Sequence, residues 1–369
     1  MIIRNVEKKD FGEINRLYND VYEGFYPLPE TYNKKIFDEA LDDDSHLWLV
    51  SEDEGGKIVA SIILVGNREK DICKCYGAAV KKEFQEKGVM YELHSEAEKR
   101  SECRMYYSIA RMNNMAPQKL LRKLGFMPFG IFPNAMRVKT VETHGLFVSY
   151  KGGIIEEREK PVIIKPFEAI YSCASDILHL GKAEIVEESG IHPGRAVDLR
   201  MSVAPSVSME WTDYMNYGSI ELSYFPFFKP NLKLYSSDLS TEIFIYYNPM
   251  AAHMYILGIK TTDPMYDVLE GIASAALSMG CYYIECVVPA ESPELQSAMY
   301  ESGFLPSAYF PAFKKKDGSR SDCFINCRLL LPPSFREVRT DDMNKRFLKA
   351  YSDIYTERVR RDLYGWSDR

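Results

Sequence analysis

The residues best suited to chemistry lie in the loop Lys81-Lys-Glu-Phe-Gln-Glu-Lys-Gly88, between an apolar stretch ending at Val80 and a helical pattern beginning at Val89. A helix N-terminus offers backbone N–H groups without intrahelical partners, together with the positive end of the helix dipole. Glycine at that point lets an anionic ligand approach the backbone. Lys81, Lys82 and Lys87 add positive charge, although a plain solvated loop has a similar composition. A second candidate is the aromatic loop Glu23-Gly-Phe-Tyr-Pro-Leu-Pro29, where Phe25 and Tyr26 could stack on a small ligand while the prolines hold the loop's shape. The same rings would serve equally as a plug over the core. Tyr76, Tyr106 and Tyr107 stand on apparent strands, where tyrosine usually packs, so no catalytic acid or base is assigned.

The eight cysteines do not point to a metal. Their spacings are Cys73-x-Cys75, lone Cys103 and Cys173, Cys281-x4-Cys286 and Cys323-x3-Cys327, and none is a C-x-x-C pair. Even offsets place Cys73 with Cys75, and Cys323 with Cys327, on one sheet face as small apolar fillers.

The elements that position these groups follow from periodicity. The first 150 residues read as strand Ile2–Val6, a helix capped at Asp10 and ending near Gly24, a short helix from Glu30 to Leu41, and strands His46–Val50, Ile58–Val65 and Ile72–Val80. Helix Val89–Arg100, strand Met105–Ala110, helix Ala116–Leu124 and strands Phe126–Pro133 and Gly145–Tyr150 follow. A polar, glycine-containing linker is expected at 151–160, a second domain at 161–333 and an amphipathic C-terminal helix within 334–369. In the second domain the pattern gives helix Phe167–Leu180, strands Ala196–Val203, Ser219–Phe225, Glu242–Tyr247 and Met254–Ile259, and helix Tyr266–Met279. Strand Tyr282–Val288, helix Pro293–Glu301 and strands Phe304–Phe313 and Cys323–Leu331 close it. Gln118 and Gln296 each precede a Gly-Phe step by seven residues, which predicts a tandem duplication.

Gln85-x-x-Gly88-x-Met90 resembles the Q/R-x-x-G-x-G/A signature of the GNAT acyltransferases, and Asn114 followed by Leu124-Gly-Phe126 resembles the family's later strand–Asn–helix–G-F step. The resemblance spans residues 1–150. It implies an α+β fold with a mixed, mostly antiparallel GNAT-type sheet flanked by helices, here in two tandem domains. It implies acyl-CoA, most simply acetyl-CoA, as co-substrate without a metal. The pyrophosphate would meet Gln85, Glu86, Lys87, Gly88, Val89 and Met90, pantetheine would pair with Ala78, Ala79 and Val80, and Asn114 would contribute from the next helix. Two positions depart from the family pattern: Met90 stands where Gly or Ala is preferred, and Leu121 where many relatives place a tyrosine acid.

The second half has Lys260-Thr-Thr-Asp-Pro264 at the corresponding junction, with a carboxylate where an anion would sit, and so reads as a degenerate domain. His253, Arg320 and Asp322 in that half read as structural or rim residues. The implied activity is transfer of an acyl group to a primary amine of a small molecule or amino acid. A silent acyl-CoA-binding module and a protein-modifying acetyltransferase are the alternatives.

Composition bounds this reading. Of 369 residues 46% are hydrophobic and 27% charged, enough for packed cores. The net charge of −7 argues against general nucleic-acid binding and favours a cationic acceptor. No apolar run approaches the ~20 residues of a membrane span, and Met1-Ile-Ile-Arg4 turns polar too early for a signal peptide, so a cytoplasmic location is expected.

Overall fold

The computed structural model describes residues 1–24, 26, 28–137, 141–191, 194–217, 220–221 and 228–364. The first half runs β1 (Ile2–Asn5), α1 (Phe11–Tyr22), α2 (Lys34–Asp42), β2 (His46–Glu52), β3 (Ile58–Asn67), β4 (Ile72–Val80), α3 (Val89–Arg100), β5 (Met105–Arg111), α4 (Met115–Lys123), β6 (Met127–Arg137) and β7 (Val141–Tyr150). Then come β8 (Val162–Ile164), α5 (Glu168–Leu178), β9 (Glu184–Val186), β10 (Leu199–Ser202), α6 (Val207–Tyr217), β11 (Ile220–Glu221), β12 (Leu232–Ser236), β13 (Thr241–Asn248) and β14 (His253–Thr261). The chain continues through α7 (Met265–Ser278), β15 (Tyr283–Pro289), α8 (Pro293–Glu301), β16 (Leu305–Lys315), β17 (Arg320–Leu329) and α9 (Asp342–Tyr364).

Strand order in the main sheet is β1-β2-β3-β4-β5-β7-β6 and then β16-β17-β15-β14-β13-β12-β10, so the second set reverses the first strand for strand. Each half places one parallel pair, β4/β5 or β14/β15, among antiparallel neighbours. Alternate residues of β2 and β3 face opposite layers. Trp48, Val50 and Ile63 pack with α1 and α2, whereas Leu49, Ile62 and Leu64 pack with α3. The protein is therefore α+β, with a mixed, mostly antiparallel sheet between helices in two tandem units.

The halves meet where β6 pairs with β16 at Gly130 and Ala308. These are equivalent positions in a shared run: Gly125-Phe-Met-Pro-Phe-Gly-Ile-Phe-Pro133 matches Gly303-Phe-Leu-Pro-Ser-Ala-Tyr-Phe-Pro311 without a gap. A pseudo-twofold axis thus passes through the seam. Only glycine fits at 130, since its φ is +153° and a Cβ there would lie 2.1 Å from that of Ala308. Pro128, Pro133, Pro306 and Pro311 cannot donate to a ladder, which keeps the seam short.

Two helices cover it. Ile170, Tyr171 and Ala174 of α5 and Phe347, Tyr351 and Ile354 of α9 are buried in one core with β6 and β16, so the C-terminal helix docks on the body as its periodicity predicts. Both carry Ser-Asp-Ile, at 175–177 and 352–354. The echoed glutamines tie down the segments that lead into these helices, and they do so crosswise. Gln118 of the first half donates to Arg339 O (2.7 Å) and accepts from Thr340 Oγ1 (2.7 Å), before α9. Gln296 of the second half accepts from Ile164 N (3.0 Å) and donates to Val162 O (3.1 Å), before α5.

Several expectations change. Asp10 sits at the N-cap of α1 but makes no bond to it; its carboxylate accepts from Glu7 N (2.8 Å) and Arg4 (2.6 Å) instead. Asn33 caps α2, so that helix starts at Lys34 rather than Glu30. Cys73 is joined to Cys103 in a disulfide (Cα–Cα 6.0 Å), because the start of β4 and the loop before β5 converge there; of the two it is Cys75 that stays a buried free filler. The linker segment is structured, with a 3-10 turn at Ile154–Glu157, an ion pair from Glu157 to Arg104 (2.6 Å) and a buried one from Arg158 to Asp322. α6, β8, β9 and β12 were not expected. Of the strand anticipated at 219–225 only 220–221 is seen as β11, and the remainder lies outside the described residues.

Candidate active site

The site begins with an interruption of β4. Its pairing with β3 runs to Tyr76 opposite Ile63 and resumes at Ala79 opposite Ser61, leaving Gly77 and Ala78 bulged out. Gly77 has φ +65°, and a Cβ would lie 2.9 Å from the Tyr18 hydroxyl. Tyr18 and Tyr22 of α1 hold the bulge by donating to Gly77 O (2.5 Å) and Ala78 O (2.6 Å). β5 pairs with β4 only from Ile72 to Cys75, so beyond that point the strands part. Ala78 is exposed on the parting edge, Ala79 is buried and Val80 is half-buried. Across the gap Arg111 ends β5 in a two-pronged ion pair with Glu142 of β7 (2.7 and 2.6 Å), with His144 3.8 Å beyond. Against the opposing effect of burial, His144 and Arg111 hold the Glu142 carboxyl down at about 2.

β4 leads into the candidate anion loop. After a 3-10 turn at Lys82–Phe84, Gln85 donates its side-chain amide to Val80 O (3.3 Å) and Glu86 adopts φ +61°. Gly88 is the N-cap of α3 with φ +80°, no side chain caps this helix, and a Cβ on Gly88 would meet open space. Gln85, Glu86, Lys87 and Gly88 are exposed. Val89 and Met90 point their side chains into the core beside Leu93 and Leu121, so they offer the loop only backbone. Burial of Leu121 also rules out any polar role at that position. Asn114 caps α4 by accepting from Ala116 N (2.9 Å), at the start of the helix after β5.

On the opposite face lies an aromatic enclosure. The Tyr26 ring stacks at 4.1 Å from Tyr22 and 5.2 Å from Tyr18. Phe25 lies outside the described residues. Burial, followed by the negative charge of Glu30, pushes the Tyr76 phenol well above the usual range. Lys74 Nζ lies 5.3 Å from the Tyr76 ring centre and 4.8 Å from that of Phe228, which stacks on Tyr246 (4.9 Å) and lies tilted 4.6 Å from Tyr255 of the second half. Burial lowers Lys74 to about 8 and raises Glu285 to about 8, while Tyr283 donates to Glu285 (2.6 Å).

The sequence reading missed this wall. Its signal was alternation, since Lys74 and Tyr76 occupy the β4 face opposite Cys73 and Cys75.

The second half is built differently at the matching place. β14 also carries an irregularity, between Ile256 and Gly258, and pairs with β15 only over His253–Tyr255. Its freed edge is taken by β11, with Ile220 opposite Ile259 and Glu221 opposite Gly258. Tyr214 donates to Ile259 O (3.0 Å), and Tyr214 and Trp211 fill the space over Gly258. In the turn before α7, Asp263 accepts from Thr241 (2.6 Å) and Ser240 (2.9 Å). Arg320, Asp322 and His253 are all buried, the first donating to Ala312 O (2.6 Å) and Lys70 O (2.9 Å).

Among the described residues no group of three or more His, Cys, Asp or Glu could hold a metal, and no helix is long and apolar enough to cross a membrane. The acetyltransferase (GNAT) family matches residues 11–126. No curated protein matches the chain. Similar solved structures include a spermidine N-acetyltransferase SpeG mutant from Vibrio cholerae (16% identity, TM-score 0.37), which covers 41% of this chain and 95% of its own. A ribosomal-protein-alanine N-acetyltransferase from Brucella melitensis (18%, 0.36) covers 41% and 100%, and a GNAT-family acetyltransferase from Streptococcus pneumoniae (21%, 0.36) covers 41% and 99%. The bulged β4, the parting of β4 from β5 and the glycine-capped α3 all fall within the matched segment, and residues 11–126 are a domain of the acetyltransferase (GNAT) family.

Proposed function

We propose that the chain is an acyl-CoA-dependent N-acyltransferase whose first half binds acetyl-CoA and whose acceptor is a primary amine of a small molecule or amino acid. The observation that carries this reading is the uncapped, glycine-started N-terminus of α3 directly after the parted edge of β4. Backbone N–H groups from Gln85 to Met90 would take the pyrophosphate, with Lys87 and Lys82 adding charge. The edge at Ala78, Ala79 and Val80 would pair with pantetheine. Asn114 would act through its side-chain nitrogen, since its oxygen caps α4. The co-substrate supplies an activated thioester. The chain's own part is to orient the amine so that its lone pair meets the carbonyl carbon, to offer a backbone N–H of β4 to the developing oxyanion, and to accept the proton the amine sheds while the thiolate departs as thiol. Tyr26, with Phe25, would line the acceptor side, fixed by Tyr22 and Tyr18.

A second reading is a silent acyl-CoA-binding module, favoured by Leu121 lying in the core where a thiolate acid would stand. Calorimetric titration with acetyl-CoA followed by thiol release across an amine library separates the two. Binding with turnover supports the enzyme, binding without turnover supports the silent module, and absence of binding overturns both.

A further inference from the structure

We propose that Cys73 and Cys103 form a reversible thiol–disulfide site that exchanges with small thiols such as glutathione, and that closing the bridge tightens the acetyl-CoA slot of the first half. The exchange stands on its own geometry, and only its effect on the slot rests on the acyltransferase reading.

Three observations carry it. First, the bridge is within reach of a small reagent. Cys73 is buried, but Cys103 is half-buried in the loop before β5, next to the exposed Glu102. β3 makes room for the pair, since Gly66 stands opposite Cys73 in the ladder and a Cβ there would lie 3.1 Å from Cys73 Sγ and 3.6 Å from Cys103 Sγ. Second, the surroundings are held without the bridge. Asp71 accepts from Arg104 N (2.8 Å) and Nε (2.6 Å), Arg104 O accepts from Lys151 N (2.8 Å), and Ile72 pairs with Met105. Opening the bridge therefore leaves the two thiols as neighbours, ready to close again. Cys75 does not compete for either partner, because burial pushes its thiol well above the usual range. Third, the bridge closes a ring, residues 73–103, that contains the edge Ala78–Val80, the loop Gln85–Met90 and all of α3. It lies at the closed end of the cleft, where β4 and β5 still pair, and ties the segment after α3 back to the start of β4.

To open the bridge, a thiolate attacks Cys103 Sγ, the Sγ–Sγ bond breaks, and Cys73 leaves as a thiolate that takes up a proton. A second thiolate attacks the outer sulfur of the mixed disulfide, forming the external disulfide and freeing Cys103. Two external thiols are oxidised and the bridge gains their two electrons, and an external disulfide drives the reverse. A glutathione pool poised toward the thiol keeps the pair open, and an oxidised pool closes it. The closed ring tethers both walls of the slot, so less freedom is lost when acetyl-CoA binds.

The test equilibrates the full chain with reduced or oxidised glutathione and titrates its thiols in denaturant after an acid quench. On oxidation the count should fall from eight to six. The melting temperature should rise by about 5 °C, and calorimetry should show acetyl-CoA binding about fivefold tighter. Cys103→Ser should match the reduced protein in both buffers. Eight thiols in both buffers, six in both, or a stable glutathione adduct in place of the bridge would each overturn the exchange. Equal acetyl-CoA affinity in two states that differ in thiol count would overturn its effect on the slot. Absence of acetyl-CoA binding in both states would overturn the acyltransferase reading, and the thiol count would still decide the exchange.

Discussion

The two strand-to-helix junctions of this protein share a topology and differ in what they leave open. At the β4–α3 junction the bulged strand parts from its parallel neighbour, its edge stays unpaired, and the helix begins at a glycine with no side-chain cap. At the β14–α7 junction the freed edge is paired by β11, a tyrosine and a tryptophan fill the bulge, and a tied carboxylate occupies the turn. One topology therefore carries a candidate ligand slot in one half and a closed structural element in the other. A fold sets where a site could lie, and the local backbone inventory decides whether it is available.

The contrast is broken most severely at Gly88. Gly88→Glu places a like charge and a side chain at a left-handed N-cap, and acetyl-CoA affinity should fall about 100-fold, roughly 2.7 kcal/mol, in calorimetry. The matching change in the other half, Asp263→Gly, should leave the stoichiometry at one acetyl-CoA per chain, because β11 still pairs the edge. Two bound per chain would show that the turn and not the strand closes the second slot.

The next effect concerns pH. Burial depresses His253 of β14 to about 3, well below its ordinary 6.5, and its Nε2 has no hydrogen-bond partner among the described residues. Protonation then favours the unfolded chain, so stability is complete above pH 6.5 and declines as pH falls toward 3, by up to about 1.4 kcal/mol per unit. His253→Phe preserves the stacking on Tyr255 and the edge-on contact with Tyr283. In guanidinium melts the native protein should lose about 2 kcal/mol more than the variant between pH 6.5 and 5. Glu142 of the first half acts in a separate window, its contribution being lost only as pH drops from about 4.5 toward 2. Parallel curves for His253→Phe and the native protein would remove His253 from the account.

A smaller effect is expected at Tyr26. Tyr26→Ala should raise the acceptor KM about tenfold, near 1.4 kcal/mol, with acetyl-CoA affinity nearly unchanged. If both affinities and the melting temperature fall together, Tyr26 is a packing residue. The smallest effect belongs to Tyr22→Phe, which frees the Ala78 carbonyl of one hydrogen bond. It should change acetyl-CoA affinity by about threefold at most, measured in the same titration, and a larger change would mean that Tyr22 itself touches the ligand.

The first half was legible because its elements announce themselves locally: alternation in β2–β4, the 3.6-residue spacing of α1 and the glycine before α3. The placement of Gln85–Met90 and Ala78–Val80 on one continuous strand–turn–helix followed from the sequence. The aromatic wall did not, because Lys74, Phe228 and Tyr246 stand far apart along the chain and only the meeting of the two halves gathers them. Elements with atypical strand chemistry were also missed. β12 carries Lys233, which is tolerable there only because Glu210 and Glu242 meet its amine at 2.5 Å. The expectation of a duplication rested on one short echo, Gln118 and Gln296 before Gly-Phe, whereas the longer shared proline-and-phenylalanine run through β6 and β16 is what sequence reading by secondary-structure pattern passes over.

That run has a further consequence during synthesis. β6 is an edge until β16 reaches it, and from Arg137 to Leu305 roughly 170 residues must first be made. At about 5–20 residues per second the nascent first half presents an open strand edge for roughly 10–30 s. Unguarded edges recruit other chains. Pro128 and Pro133 interrupt the donors on β6 and Gly130 leaves it without a side chain at the pairing point, so the edge that later joins the halves is poorly matched to any strand but its own repeat.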